Sequence, residues 1–257
     1  MTAALSVNVN KVAWLRNARM GQDPDVREMA QLCVDAGADG ITVHPRPDQR
    51  HIRPDDVRTL ATALAPQGVE LNVEGNPFSG PTDDGYPGFL ALCREVRPAQ
   101  VTLVPDADDQ LTSDHGWQIA PHAQRLAPIV ASLREQGARV SLFVDPGCAE
   151  LEAIAALGAH RVELYTEGYA RLFRAENGSG AALQQTLEAY AATARDAHAA
   201  GLEVNAGHDL NLHNLTAFCA AVPNVLEVSI GQALIADALR FGLAETVRRY
   251  QTAIAKA

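Results

Sequence analysis

The feature that most constrains this chain is a unit repeated along it: a helical stretch, a glycine, then a short run rich in β-branched residues. It occurs at Gly37 before Gly40–His44, at Gly68 before Val69–Glu74, and at Gly137 before Val140–Asp145. It recurs at Gly158 before Val162–Tyr165 and at Gly201 before Leu202–Ala206. Glycine supplies the left-handed residue that ends a helix, and the β-branched run then opens a strand. Proline does the stopping at Pro98 and Pro223. Eight strands follow, at 5–9, 40–44, 69–74, 99–104, 139–145, 161–166, 202–206 and 225–230. The clearest intervening helix spans 180–200, where Leu183, Leu187, Tyr190, Ala191, Ala194 and Ala197 form one apolar face. Strict strand–helix alternation implies parallel strands joined by right-handed crossovers. Eight such units in 257 residues predict an α/β fold, a single (β/α)8 TIM barrel over 1–257. The rival, an open doubly wound sheet, calls for fewer strands and a glycine-rich first turn. Neither is present.

Charge narrows the partners. A net charge of −10 argues against a nucleic-acid or anionic-membrane binder. No apolar run approaches the ~18 residues a spanning helix requires, and the N-terminus has no basic leader. The cysteines Cys33, Cys93, Cys148 and Cys219 form no Cys-x-x-Cys pair. Reduced thiols and a cytoplasmic location are the expectation.

Parallel barrels do their chemistry at the carboxyl ends of the strands. There the first strand runs into Asn8, Asn10 and Lys11, the second ends at His44, and the third at Glu74. Glu163 interrupts an apolar sixth strand, His208 and Asp209 follow the seventh, and Gly231-Gln232 opens the helix after the eighth. Each residue also has a structural reading: His44 as a hydrogen-bonded rim histidine, Glu74 and Glu163 as partners of structural cations. Their convergence on one rim favours the functional one. Polar residues at the opposite rim (Asp39, Glu70, Arg139, His160) read as ordinary solvated turns.

After His44 come Arg46, Arg50 and His51, a basic loop in an acidic chain. Guanidinium forks suit phosphate oxygens, and a helix opening at Gly231 suits a second anion. Two such places imply two phosphorylated substrates or one bisphosphate. A solvated charged loop is the alternative. A metal site built from His44, Glu74 and His208 is disfavoured by the nearby arginines. Asn177-Gly178-Ser179-Gly180 is a poor nucleotide loop, and segment 167–180 reads instead as a lid.

The strings Val7-Asn8-Val9-Asn10, Leu15–Arg19, Asp39–Arg46, Arg50-His51-Ile52, Asn72-Val73-Glu74, Val140–Phe143, Val204–His208 and Ile230-Gly231 resemble the pyridoxine 5′-phosphate synthase family, in order and over most of the chain. The resemblance implies a barrel with additional helices, a homo-octamer, and no metal or organic cofactor. It implies condensation of 3-amino-2-oxopropyl phosphate with 1-deoxy-D-xylulose 5-phosphate, giving pyridoxine 5′-phosphate, phosphate and water. Catalytic positions of that family match His44, Glu74 and His208, with Glu163 beside them. Ligand positions match Asn8, Asn10, Lys11, Arg19, Arg46, His51, Thr112, Asp209, Gly231 and Gln232. This chain departs from many members in Asn10-Lys11 for Asp-His, Asp209 for Gly and Gln232 for His. Competing readings are a non-catalytic barrel binding B6 vitamer phosphates and a metal-dependent lyase or hydrolase on the same fold.

Overall fold

The computed structural model describes residues 2–19 and 21–257. Its strands are β1 (Ala4–Asn8), β2 (Gly40–Val43), β3 (Glu70–Gly75), β4 (Gln100–Leu103), β5 (Arg139–Val144), β6 (Arg161–Tyr165), β7 (Glu203–Gly207) and β8 (Val225–Ile230). All pair in parallel with their sequence neighbours, and β8 pairs with β1 to close the barrel. The expected (β/α)8 architecture is therefore the observed one.

Helices α1 (Asn10–Asn17), α2 (Val26–Asp35), α3 (Pro54–Leu64), α4 (Phe89–Val96), α5 (Ala123–Glu135) and α6 (Leu151–Ala156) belong to the first half. Helices α7 (Glu167–Ala175), α8 (Ala181–Ala199), α9 (Leu215–Ala221), α10 (Gln232–Phe241) and α11 (Leu243–Ala255) complete the outer ring. Strand ends differ from expectation by about one residue. Val9 leaves β1 because its carbonyl accepts the Val12 and Ala13 N–H groups at 3.1 and 3.3 Å, starting α1. Gly207 stays in β7 because it is in register with Ser229. No helix among the described residues is long and apolar enough to cross a membrane.

Strand residues alternate in character, and this decides what the barrel holds. Leu5, Val7, Ile41, Val43, Val73, Val101, Leu103, Val140, Leu142, Val162, Leu164, Val204, Val228 and Ile230 are fully buried in the apolar core. They point outward against the helices. The residues between them point inward, and they are polar. Ser6 and Thr42 hydroxyls lie 2.6 Å apart, Thr102 Oγ1 donates to Asn72 Oδ1 at 3.1 Å, and Asn72 Nδ2 donates to Thr42 Oγ1 at 3.4 Å. Parallel sheets covered on both faces ordinarily read as continuous apolar runs. Here the interior is a hydrogen-bonded polar column instead.

The opposite rim corrects the expectation of solvated turns. Arg161 Nη1 donates to Glu227 Oε2 at 3.0 Å and to Asn205 Oδ1 at 3.2 Å. Arg139 pairs with Glu70 and donates to Gln100 Oε1 at 2.9 Å, while Gln100 Nε2 reaches Glu227 Oε1 at 3.1 Å. Asp39 Oδ2 accepts the Leu5 N–H at 2.8 Å, and His160 Nδ1 accepts the Val140 N–H at 3.0 Å. Barrel closure gathers the strand starts around one axis, so side chains that would be solvated on an open sheet plug its floor.

Candidate active site

At the carboxyl ends of the strands lies a cavity of about 500 Å3. His44, Glu74, Glu163 and His208 all line it, although 164 positions separate the first from the last in sequence. His44 follows β2; its N–H donates to Asn10 Oδ1 at 2.9 Å, which ties it to the start of α1. Its Nδ1 stands 3.9 Å from Glu74 Oε2, and Asn8 Nδ2 donates to that oxygen at 3.4 Å. His208 Nε2 lies 2.9 Å from Thr112 Oγ1, and its Nδ1 lies 2.7 Å from Asp209 Oδ2.

Electrostatics differentiate these groups. Burial lifts Glu74 to about 8, assisted by the charges of Asp106 and Glu227 and opposed by Arg46. Burial likewise holds Glu163 well above the usual carboxylate range, with Glu74 and Glu227 adding to the effect. One oxygen of Glu163, Oε2, is buried without a hydrogen-bond partner among the described residues. Burial lowers His44 well below the ordinary imidazole value, and Arg46, His51, His208 and Arg50 push the same way. The site thus sets a neutral imidazole beside carboxylic acids that keep their protons near neutral pH. Such a set exchanges protons with a substrate in either direction.

The basic loop is less free than its sequence implies. Arg46 is buried and donates through Nη2 to Asp106 Oδ2 at 2.5 Å and through Nη1 to the Gln110 carbonyl at 3.0 Å. Arg50 Nε donates to Asp48 Oδ2 at 2.6 Å. His51 Nδ1 accepts the Ile52 N–H at 2.9 Å, and burial with the nearby Arg46, Lys11 and Arg50 lowers it to about 3. His51 therefore faces the cavity as a neutral donor through Nε2, not as a cation. Lys11 pairs with no carboxylate among the described residues; its ammonium sits 4.6 Å above the Trp14 ring. The positive face of the cavity is Lys11 and the opening of α10, capped by Gly231.

Asn8, Asn10, Lys11, Arg46, His51, Thr112, Asp209, Gly231 and Gln232, the positions matched to ligand contacts by resemblance, all line the cavity. Arg19 does not: it is exposed beyond the end of α1. Segment 167–180 is α7 and the turn into α8, and none of it lines the cavity. The covering residues are Leu111, Thr112 and Ser113, from the long connection after β4.

The sequence reading missed Asp106 and Glu227. Asp106 is buried and accepts from both Arg46 and Ser113, the latter at 2.7 Å. Glu227 interrupts an apolar strand just as Glu163 does, and that signal was available. Gly207 is required: a side chain there would run into Glu163 Oε1 and the Ser229 carbonyl. No group of three or more His, Cys, Asp or Glu side chains among the described residues is arranged to hold a metal ion. His44, Glu74 and His208 share a cavity without forming such a cluster.

Residues 5–256 match the family model described as pyridoxal phosphate biosynthesis protein PdxJ. The pyridoxine 5′-phosphate synthase of Xanthomonas campestris pv. campestris (strain B100) is 59% identical over 255 residues, covering 99% of this chain and 97% of that protein. The one from Xylella fastidiosa (strain M12) is 56% identical over 246 residues, covering 96% and 92%. Among solved structures, 3-keto-L-gulonate-6-phosphate decarboxylase from Vibrio cholerae superposes with a TM-score of 0.62 at 12% identity, covering 100% of this chain and 99% of its own. Tryptophan synthase from M. tuberculosis gives 0.63 at 16%, covering 98% and 93%. At those identities the likeness is one of fold.

Proposed function

The chain belongs to the pyridoxal phosphate biosynthesis protein PdxJ family and forms pyridoxine 5′-phosphate, and we propose that it does so by condensing 3-amino-2-oxopropyl phosphate with 1-deoxy-D-xylulose 5-phosphate in the cavity described above. The observation that carries this reading is the convergence of His44, Glu74, Glu163 and His208 on one cavity, with a neutral base beside protonated acids.

The reaction asks for that mixture. An amine must lose a proton to attack a ketone, the adduct must shed water, a phosphate must leave, a carbon–carbon bond must close the ring, and a second water must depart as the ring becomes aromatic. His44, neutral and 3.9 Å from Glu74, takes the proton from the attacking amine. Glu74 receives and returns protons as the adduct collapses, since its value of about 8 lies near the working pH. His208 donates to a departing oxygen through Nε2, displacing Thr112. Glu163, buried on the same cavity, keeps its proton and can donate it to a substrate oxygen. One phosphate rests on the α10 opening with Lys11; the other lies against His51 and the Arg46 loop. Holding both anions aligns the reacting carbons, an effect worth up to about 7–11 kcal/mol.

Incubating the purified chain with both precursors tests the reading directly. A pyridine chromophore and free phosphate should appear together, and neither precursor alone should yield them. Absence of the chromophore with intact precursors would overturn the assignment.

Arg46 carries a separate prediction. Arg46→Ala should raise the KM for the precursor held there about tenfold or more. It should also destabilise the fold, because Asp106 is left as a buried carboxylate without its cation. Adding Asp106→Asn should recover stability without recovering affinity. Undiminished binding of 1-deoxy-D-xylulose 5-phosphate by calorimetry would remove Arg46 from the pocket.

We also propose self-association, as a homo-octamer, in a reducing cytoplasmic compartment. Exposed Leu15, Leu32, Leu239 and Phe241 lie on α1, α2 and α10, with α1 adjacent to each of the other two, and the four cysteines are unpaired.

A further inference from the structure

We infer that Asp209 is a positioning residue for His208, not a contact to substrate phosphate. His208 stands at φ 90, a left-handed backbone for a non-glycine residue, and its main chain is clamped on both sides. The Thr166 hydroxyl donates to the Gly207 carbonyl at 2.6 Å and accepts the Asp209 N–H at 3.1 Å. The His208 N–H donates to the Ser229 carbonyl at 3.2 Å. Backbone direction is therefore settled, while the imidazole itself is 32% exposed and meets the edge of Tyr165 at 5.6 Å between ring centroids. Two polar contacts fix the ring. Asp209 Oδ2 holds Nδ1 at 2.7 Å and Thr112 Oγ1 holds Nε2 at 2.9 Å.

The two contacts are not equivalent. A carboxylate accepts and cannot donate, so the proton between Asp209 and His208 resides on Nδ1. That leaves Nε2 as the nitrogen presented to the cavity, where the Thr112 hydroxyl donates to it. A neighbouring carboxylate thus selects the tautomer and aims the ring, two effects that act through His208 alone. A carboxylate at this place repels a phosphate dianion, so a direct role in anion binding runs against its charge.

This inference rests on the proposed acid role of His208, and its test separates the two. The wild-type chain is first shown to form product from both precursors. Asp209→Ala should then lower kcat about ten- to a hundredfold, with each KM staying within about twofold. In nitrogen NMR of imidazole-labelled protein, the single Nδ1–H form of His208 should give way to a mixture of tautomers. Asp209→Asn, which keeps an acceptor oxygen and loses the charge, should retain the tautomer and show an intermediate kcat. Wild-type kcat with an unchanged His208 signal in Asp209→Ala would overturn the inference while leaving the proposed function standing. A loss confined to KM would also overturn it, identifying Asp209 as a substrate contact. Absence of product from the wild type would instead overturn the functional reading.

Discussion

Glu74→Gln is expected to lower kcat by about 10²–10⁴-fold and, at the same time, to make the folded protein more stable at pH 8. Both effects have one origin. Burial raises the folded-state carboxyl to about 8 from an ordinary 4.5. The native state therefore keeps a proton that the unfolded chain gives up, and stability falls as pH rises from about 4.5 to about 8. A glutamine cannot lose that proton, so its stability declines less over the window. The gain at pH 8 should be roughly 1–3 kcal/mol, because Glu74, Glu163 and Glu227 titrate together and share the cost. Denaturant unfolding of both proteins at pH 5 and pH 8, beside product assays, checks the pair of outcomes. A variant that turned over normally would exclude Glu74 from proton transfer; equal pH dependence of stability would exclude its raised value.

Arg161→Met should destabilise the fold by about 3 kcal/mol at pH 8, because Glu227 loses its partner at 3.0 Å and keeps only the more distant Arg139 at 4.0 Å. Glu227 already sits near 7 through burial and the charge of Glu70, held down by Arg161 and Arg139. Without Arg161 it rises further and takes a proton more readily, so the loss should shrink at pH 5. Arg161→Met with Glu227→Leu should restore most of the stability, since an apolar pair of similar volume avoids the desolvation of two ions. Thermal melts of the three proteins at the two pH values suffice. If the single and double variants melted together well below wild type, the floor network would matter for packing rather than for charge.

Legibility differed among the parts of this protein. The eight strands were readable to about one residue because glycine and proline stops act locally, through backbone freedom and a missing donor. His44, Glu74 and Glu163 were readable because strand ends are where a parallel barrel exposes groups to ligand. Glu227 had the same local signal as Glu163, but its place in the barrel floor follows from pairing with Arg161 across 66 positions. Asp106 carried no signal. It sits in a proline-and-aspartate loop, and only the structure brings it to Arg46 across 60 positions. Asp209 was readable as a rim residue, but its pairing with His208 depends on the backbone clamp from Thr166.

By itself the amino-acid order determined the barrel, its chain direction and the rim at which the cavity lies, because these follow from short-range stops and alternating side chains. Tertiary structure alone decided protonation. Whether His44 is charged, whether Glu74 keeps its proton and whether Arg46 is free for an anion depend on how much water is excluded and which charges stand nearby. Those are sums over residues from every strand, and no local stretch of sequence contains them.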